Sequence, residues 1–313
     1  MPAISASAPG KIILYGEHAV VYGRHAIAIP VTQVRTRAIC SAIIPGRAGQ
    51  VRVQSFATGL NTDVADLPED HPIRKAVELT LTHLGIKTSL PVAIQISSDI
   101  PISGGLGSGA AVSIAIIRSL SKFLGKELPV EDISSLAFEV EKIHHQTPSG
   151  IDNTVIAFEK PVLFCRGEPI QPFLPGGAFD YLIASTGIRA STAEVVSGVR
   201  SRRDQQMERY EKLFDQIDGL VKQAYKGLLA GDRETCGRWM TENHQLLREI
   251  GVSSPILDAL VNTALAHGAY GAKLSGAGVG GNVIVLVSTD ASNEIEQALK
   301  AAGASQIIRT RLE

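Results

Sequence analysis

The sequence has little of what marks several protein classes. Only three of its 313 residues are cysteines, namely Cys40, Cys165 and Cys236, and their wide spacing excludes both a disulfide framework and a C-x-x-C pair. Every apolar run is shorter than the roughly 20 residues that a membrane-spanning helix needs. The first residues also lack the basic and apolar regions of a signal peptide. We therefore expect a soluble, cytoplasmic protein.

An excess of charge of one sign is also missing. The chain has 30 basic and 31 acidic residues, a formal net charge of −1, and like charges do not cluster in long blocks. Nucleic acid and anionic membranes attract proteins through such blocks, so neither is expected as a partner. Apolar residues, in contrast, make up 44% of the chain. This content is enough for one large domain or two.

The spacing of the apolar residues predicts a mixed α/β (α+β) chain. Alternating, β-branched runs predict strands over residues 11–16, 26–44, 50–56, 90–101, 154–159 and 180–186, and a glycine-turn hairpin over 268–288. A period near 3.6 predicts helices over residues 71–85, 108–125 and 129–145, and mostly helix over 191–266. The Pro- and Gly-rich stretch over 160–180 suggests a boundary between domains 1–175 and 176–313.

A glycine-rich loop joins a predicted strand to a predicted helix in PISGGLGSGAAVS, residues 101–113. Backbone amides in such a loop and the positive end of the helix dipole can bind a phosphate, although tight packing explains glycines equally well. The loop is not a Walker A motif, because Ala110 and Ala111 stand where that motif has lysine and serine or threonine. Its G-x-G-x-x-A pattern, and G-x-G-x-x-G at 276–281, lack the strand and helix context of a dinucleotide site.

Three segments occur together and in a characteristic order: APGKIILYGEHAVVYG at 8–23, PISGGLGSGAAVS at 101–113 and KLSGAGVGGNVI at 273–284. On these segments the chain resembles the GHMP kinase family over essentially its whole length. The resemblance implies a two-domain GHMP kinase fold, with an N-terminal domain like the second domain of ribosomal protein S5, a ferredoxin-like C-terminal domain and an active site between them. It also implies ATP and Mg²⁺ as cofactors, a small-molecule substrate and a possible homodimer.

Within that family, GEHAVVYG and EVEKIHHQTPSGIDN, at 16–23 and 139–153, resemble the members that act on mevalonate. The expected activity is therefore transfer of phosphate from ATP to the 5-hydroxyl of mevalonate in isoprenoid biosynthesis. Two alternatives stay open. One is another kinase of the family, with phosphomevalonate, homoserine or a sugar as acceptor, and the other is a nucleotide-binding sensor without turnover.

The resemblance assigns the ATP-binding and metal-binding residues. The cofactor-binding residues are Pro101, Gly104, Gly105, Leu106, Gly107, Ser108, Gly109 and Ala110. Ser108 and Glu141 are the expected magnesium ligands, and hard oxygen ligands of this kind suit that ion. Gly109 departs from the family, which commonly has a second serine there. The chemistry requires phosphates bound by backbone amides and neutralised by a divalent cation.

Catalytic and substrate-binding residues are also carried over from the family. Asp152 is the expected catalytic carboxylate and Lys11 its cationic partner at the substrate hydroxyl; whether Asp152 takes the proton or only orients the hydroxyl stays open. The expected substrate-binding residues are Glu17, His18, Thr192, Gly276, Ala277 and Gly278. Ser191 and Glu194 form a capping-box pattern that explains this helix start without a ligand, and a glycine hairpin alone explains 276–278 nearly as well.

Overall fold

The computed structural model describes residues 2–88, 90–101, 105–143, 149–188 and 191–313. Two compact units can be distinguished. The first comprises Met1–Gly10, Val34–Ile102 and Gly107–Glu159, and the second comprises Lys11–Gln33, Ser103–Leu106 and Lys160–Glu313. Each unit is therefore assembled from several segments of the chain. The sequence-based boundary near residue 175 stays a prediction.

Strands and helices both occur throughout the described residues. The strands are β1 (Ile4–Tyr15), β2 (Ala26–Ala42), β3 (Val51–Ser55), β4 (Leu60–Asp63), β5 (Val92–Ser98), β6 (Val162–Phe164), β7 (Gln171–Pro172), β8 (Phe179–Ser185), β9 (Gly271–Ser275), β10 (Asn282–Val287) and β11 (Gln306–Leu312). The α-helices are α1 (Pro72–His83), α2 (Ser108–Phe123), α3 (Val130–Glu141), α4 (Ile151–Phe158), α5 (Thr192–Gln205), α6 (Met207–Ala230), α7 (Arg233–Ile250), α8 (Pro255–Ala266) and α9 (Ser292–Ala301). Short 3₁₀ turns occupy Ala19–Tyr22, Phe56–Thr58 and Val64–Asp66.

A sheet with one covered face forms part of the first unit. β5 pairs in parallel with β3 and antiparallel with the second half of β2, and β4 pairs antiparallel with β3. Along β5, Val92, Ile94 and Ile96 are buried, whereas Gln95 and Ser97 are exposed. This alternation is what a strand with one face on the core requires.

The helix α2 has more buried residues than the other described helices of the first unit. It packs against α1, α3 and α4, and Ala111, Ile114, Ala115 and Ile117 are all fully buried along it. A helix that is apolar on most of its circumference must lie inside the core. Ser108 is the first residue of this helix, so the packing of α2 in the core determines where Ser108 lies.

The strand predicted over residues 154–159 is wrong, because this segment forms most of α4. The β-branched residues Thr154, Val155 and Ile156 favour a strand on local propensity alone. Packing of the short helix against α2 and α3 overrides that preference. The helix predicted to run to residue 145 ends earlier, at Glu141. Glu141 is therefore the last residue of α3, and residues 144–148 lie outside the described part of the chain.

The second unit is built on an antiparallel sheet with strand order β11-β8-β10-β9. Helices α7 and α8 pack on β9. Gly237 of α7 and Gly271 of β9 allow the helix and the strand to approach each other closely. A Cβ atom at Gly271 would lie 1.9 Å from the carbonyl oxygen of Gly237. In the same unit the start of β2 pairs with β6, which pairs with β7. Among the described helices, none is both long and apolar enough to cross a membrane.

Candidate active site

Two helices of the first unit begin directly after a glycine in the left-handed conformation. Gly107, with φ 71°, precedes α2, and Gly150, with φ 88°, precedes α4. A side chain would be strained at such φ values, which explains glycine at both positions. Ser108 is the first residue of α2, and Asp152 is the second residue of α4. Both predicted functional residues thus lie at the positive end of a helix dipole.

The start of α2 has the properties of an anion-binding site. Ala111 donates its N–H to the carbonyl of Gly107 at 3.0 Å, so the N–H groups of Ser108, Gly109 and Ala110 lie outside the hydrogen-bond ladder of the helix. A Cβ atom at Gly109 would meet nothing within 4 Å. Packing therefore does not require glycine there, and the backbone of this turn is open to a phosphate.

The glycine loop is attached to β1 through its backbone. Leu106 is buried, and its carbonyl accepts a hydrogen bond from the N–H of Lys11 at 3.0 Å. Gly105, just before it, is left-handed with φ 70°. Pro101 lies between the end of β5 and the glycines. The predicted ligand Gly104 lies outside the described residues. The loop has no lysine of its own, and this contact brings the backbone of Lys11 next to it.

The helices that carry the remaining predicted groups of the first unit pack on one another. Ser108 begins α2, Glu141 ends α3 and Asp152 lies in the first turn of α4, and α3 contacts both other helices. The Asn153 amide nitrogen donates to the Ser134 carbonyl at 3.1 Å and to the Ser134 hydroxyl at 2.9 Å. This pair of bonds attaches the first turn of α4, with Asp152, to α3. The oxygen donors Ser108 and Glu141 fit a hard cation such as Mg²⁺.

In the second unit, a buried ion pair connects Glu17 to Lys273, a residue that was not predicted from the sequence. The Lys273 ammonium donates to the carboxylate of Glu17, and also to the Leu274 carbonyl at 2.6 Å. Glu17 is 1% exposed and Lys273 is fully buried. Two signals could have revealed the pair, since each residue is a single charge inside an apolar segment and the two charges are opposite. Lys273 also lies three residues before the predicted substrate-binding turn.

Burial and pairing act in opposite directions on these two groups. Burial raises the pKa of Glu17 above 4.5, while the nearby Lys273 ammonium opposes that rise. Burial lowers the pKa of Lys273, and the Glu17 carboxylate opposes that fall. A second carboxylate oxygen of Glu17, Oε2, is buried without a hydrogen-bond partner among the described residues. The pair is therefore held by mutual attraction in a site with little access to water.

His18 and Ala277, both predicted to bind substrate, lie together. His18 has an unusual positive φ of 62°, and its Nε2 atom lies 2.9 Å from the carbonyl oxygen of Ala277. Burial lowers the pKa of His18 to about 4, so the ring is neutral at pH 7. A neutral ring that donates Nε2–H to the carbonyl presents Nδ1 as an acceptor. His18 can therefore accept a hydrogen bond from a hydroxyl group.

The glycine turn at 276–281 is more than a hairpin connection. It joins β9 to β10, and Gly276 and Gly278 have φ values of 89° and 86°. A Cβ atom at Gly278 would lie only 2.0 Å from the carbonyl oxygen of Val252, and the N–H of Val279 donates to that same carbonyl at 2.7 Å. Glycine at this position thus permits contact between the turn and the segment after α7.

Lys11 and Thr192 are the other predicted site residues of the second unit. Lys11 is only 5% exposed, so it is a buried lysine of β1 and not a surface residue at a strand edge. Thr192 is exposed and is the first residue of α5. The Ser191 hydroxyl before it accepts the N–H of Glu194 at 3.3 Å, as its capping pattern predicts. The roles of Lys11 and Thr192 toward substrate stay predictions.

Comparison with known proteins agrees with these features. Residues 71–160 match the GHMP kinases N terminal domain, and residues 224–305 match the GHMP kinases C terminal domain. A protein of Pyrococcus abyssi named mevalonate kinase is 35% identical, and the alignment covers 97% of this chain and 94% of the relative.

Two solved structures share the fold over almost the whole chain. One, an L. major mevalonate kinase in complex with R-mevalonate, has a TM-score of 0.83 and 33% identity, and covers 99% of this chain and 95% of its own. The other, the Methanococcus jannaschii mevalonate kinase, has a TM-score of 0.86 and 27% identity, and covers 100% and 99%. The expected two-domain mixed α/β kinase fold is confirmed. The chain therefore belongs to the GHMP kinase family of enzymes and, within it, to the mevalonate kinases.

Proposed function

We propose that this kinase transfers the terminal phosphoryl group of ATP to the 5-hydroxyl of mevalonate. The observation that carries the proposal is the contact between the Lys11 N–H and the Leu106 carbonyl. The glycine loop has no lysine, and this contact brings a buried lysine next to it from β1. The names of the similar proteins, one of them in complex with R-mevalonate, support mevalonate as the acceptor.

The first turn of α2 is the proposed phosphate-binding element. The N–H groups from Gly107 to Ala110 and the helix dipole stabilise the phosphate oxygens. The Ser108 hydroxyl and the Glu141 carboxylate would hold Mg²⁺, which when bound neutralises charge on the phosphates. Both are oxygen donors, as this ion prefers. Gly109 leaves the backbone of the turn open without offering the additional hydroxyl found in other family members.

Asp152 and Lys11 are the proposed groups at the reacting hydroxyl. The Asp152 carboxylate accepts the hydrogen of the substrate hydroxyl and orients its oxygen for attack. The Lys11 ammonium stabilises the negative charge that develops on that oxygen. Glu17, His18, Thr192 and the turn Gly276, Ala277 and Gly278 bind the rest of the acceptor, with His18 accepting a hydroxyl hydrogen through Nδ1.

The direct experiment measures ADP release by the purified protein with ATP and Mg²⁺. Mevalonate, phosphomevalonate, homoserine and galactose are supplied in parallel, with a reaction that lacks any acceptor as the background. We expect turnover with mevalonate alone. Selective turnover of another acceptor would overturn the substrate assignment but keep the kinase. No turnover with any acceptor, together with ATP binding, would favour a nucleotide sensor.

Substitution at Asp152 tests the catalytic assignment. Asp152→Asn keeps the shape of the side chain, and we expect kcat to fall by at least about 100-fold because the basic oxygen is lost. Glu131→Gln is the matched control, since Glu131 is an exposed acid in the first turn of α3. Unchanged kcat in Asp152→Asn would remove Asp152 from its role.

A cytoplasmic location and a homodimer stay predictions. Analytical sedimentation of the purified protein measures its oligomeric state.

A further inference from the structure

Strand register brings a histidine and a cysteine together in the second unit. β2 and β6 pair antiparallel, with Ala26 opposite Phe164 and Ala28 opposite Val162. One step further in the same register places His25 opposite Cys165. Residues directly opposite each other on antiparallel strands have Cβ atoms about 4.5 to 5.5 Å apart. His25 and Cys165 therefore lie just beyond the last pair of this ladder, where its register brings the two residues near each other.

A tight turn adds a carboxylate to this pair. The N–H of Glu168 donates to the carbonyl of Cys165 at 3.2 Å, which closes a four-residue turn. Gly167, at its third position, has φ 86°, as a type II turn requires. The turn brings the side chain of Glu168 back toward the strand end. One ring nitrogen of His25, the Cys165 sulfur and one carboxylate oxygen of Glu168 all lie within 4.8 Å of one another.

Asp218, on α6, fixes the orientation of the histidine ring. Its Oδ1 accepts the backbone N–H of His25 at 2.8 Å and lies 2.7 Å from the ring atom Nδ1. The ring therefore donates Nδ1–H to Asp218, and its other nitrogen, Nε2, lies 3.5 Å from Glu168 Oε2. A carboxylate on the far nitrogen is the usual partner of a metal-ligating histidine. The Lys222 ammonium lies 2.7 Å from Asp218 Oδ2 and compensates the charge of this carboxylate.

We propose that His25 Nε2, Cys165 Sγ and a Glu168 carboxylate oxygen bind a Zn²⁺-type divalent cation, with water as the fourth ligand. Ligands at about 2.0 to 2.3 Å in a tetrahedron lie roughly 3.3 to 3.8 Å apart, and the 3.5 Å between His25 Nε2 and Glu168 Oε2 lies within this range. Sulfur and imidazole prefer zinc to magnesium. The site is therefore different in chemistry from the proposed Mg²⁺ ligands Ser108 and Glu141.

A salt-bridge cluster is the simpler explanation of the same residues. A histidine between Glu168 and Asp218 needs no metal, but such a cluster makes no use of the adjacent Cys165 thiol. The Cys165 thiol now donates to the Gly23 carbonyl at 3.4 Å. On metal binding its proton is released to solvent, and the sulfur binds as thiolate. Binding would connect the start of β2 to the turn after β6.

Co²⁺ is the probe that reports the sulfur ligand directly. The full-length protein is treated with a chelator, desalted, and titrated with Co²⁺ and separately with Zn²⁺. We expect one Co²⁺ per chain, with a thiolate-to-cobalt charge-transfer band and the visible bands of tetrahedral cobalt. One equivalent of Zn²⁺ should displace the Co²⁺ and raise the melting temperature. Failure of the charge-transfer band to develop would overturn the proposal and leave the salt-bridge explanation.

Variants separate the site from other metal binding. Cys165→Ser should abolish the charge-transfer band and lower Zn²⁺ affinity on the order of 100-fold, and Asp218→Asn should lower it by about 10- to 100-fold with the band retained. Cys40→Ser is the matched control, since Cys40 is a buried thiol outside the cluster, and should change neither. Glu168→Gln tests a further ligand in the same way. Because Glu168 is half exposed, this substitution disturbs folding least. A band that persists in Cys165→Ser would refute the assignment.

Discussion

The buried pair of Glu17 and Lys273 gives the sharpest prediction for stability. Replacing Lys273 with methionine keeps the length of the side chain but leaves the Glu17 carboxylate without its cation. Because Glu17 is 1% exposed and Lys273 is fully buried, water cannot take the place of the lost partner. Removing one member of such a pair costs about 3 to 5 kcal/mol. We expect Lys273→Met to lower the free energy of unfolding by that amount, a large share of the 5 to 15 kcal/mol typical of folded proteins.

A double variant tests whether the cost comes from the unpaired charge. Glu17→Gln combined with Lys273→Met removes both charges and keeps both shapes. Neutral replacement of a buried pair is often close to harmless, so the double variant should be more stable than Lys273→Met. Lys300→Met is the surface control: Lys300 pairs with Glu296 at 2.6 Å but is half exposed. An exposed pair of this kind contributes at most about 1 kcal/mol.

The pH dependence of Lys273→Met follows from the remaining carboxylate. Burial raises the pKa of Glu17 above 4.5, and the variant lacks the ammonium that opposes this rise. A group whose pKa is higher in the folded state contributes stability below its unfolded value, and this contribution is lost as the pH rises through the folded value. Lys273→Met should therefore be closer to the wild type at pH 5 than at pH 8.

Urea unfolding at both pH values, followed by circular dichroism, measures all four proteins. The expected order at pH 8 is wild type and Lys300→Met, then the double variant, then Lys273→Met. A Lys273→Met protein no less stable than Lys300→Met would contradict this expectation, and so would a double variant no more stable than Lys273→Met.

Three further predictions concern stability and, for one of them, turnover. Gly278→Ala should cost about 1 to 3 kcal/mol more than Gly268→Ala, because both have φ near 85° but only Gly278 faces backbone, at 2.0 Å; equal melting temperatures would contradict this. Burial lowers the pKa of His244 to about 4, so the free energy of unfolding should fall by up to about 3 kcal/mol between pH 6.5 and 4, and His244→Gln should flatten that fall. Asn153→Ala should lower stability by roughly 1 to 3 kcal/mol and kcat as well, whereas unchanged kcat would mean that the link to α3 does not position Asp152.

Local signals in the sequence predicted much of the first unit. The helix α1 begins at Pro72 and is followed by Gly85, and both residues act within one helical turn. The glycine turn between β9 and β10 was predicted for the same reason. The helix α4 was missed because its β-branched residues favour a strand locally. Its helical state depends on contacts with α2 and α3, which no short window of sequence contains.

Among the functional residues, too, some have a local signal in the sequence and others depend on contacts between distant segments. Ser108 and Asp152 were named because they lie in short motifs that resemble a family. Lys273 was missed although it lies in one of those motifs, because its importance depends on Glu17. Asp218, at the proposed metal site, was missed as well, since its bonds to His25 connect residues 193 positions apart. Pairing over such separations is a property of the fold and is not visible in spacing.

The contact between Glu17 and Lys273 also has a consequence for synthesis on the ribosome. The two residues are 256 positions apart, and chains grow at about 5 to 20 residues per second. Glu17 therefore leaves the ribosome roughly 13 to 50 s before its partner. During this interval its carboxylate must remain in water or be protonated, so the segment around it cannot reach its final environment. We expect the second unit to acquire protection from proteases only once β9 has emerged, which stalled chains of increasing length would reveal.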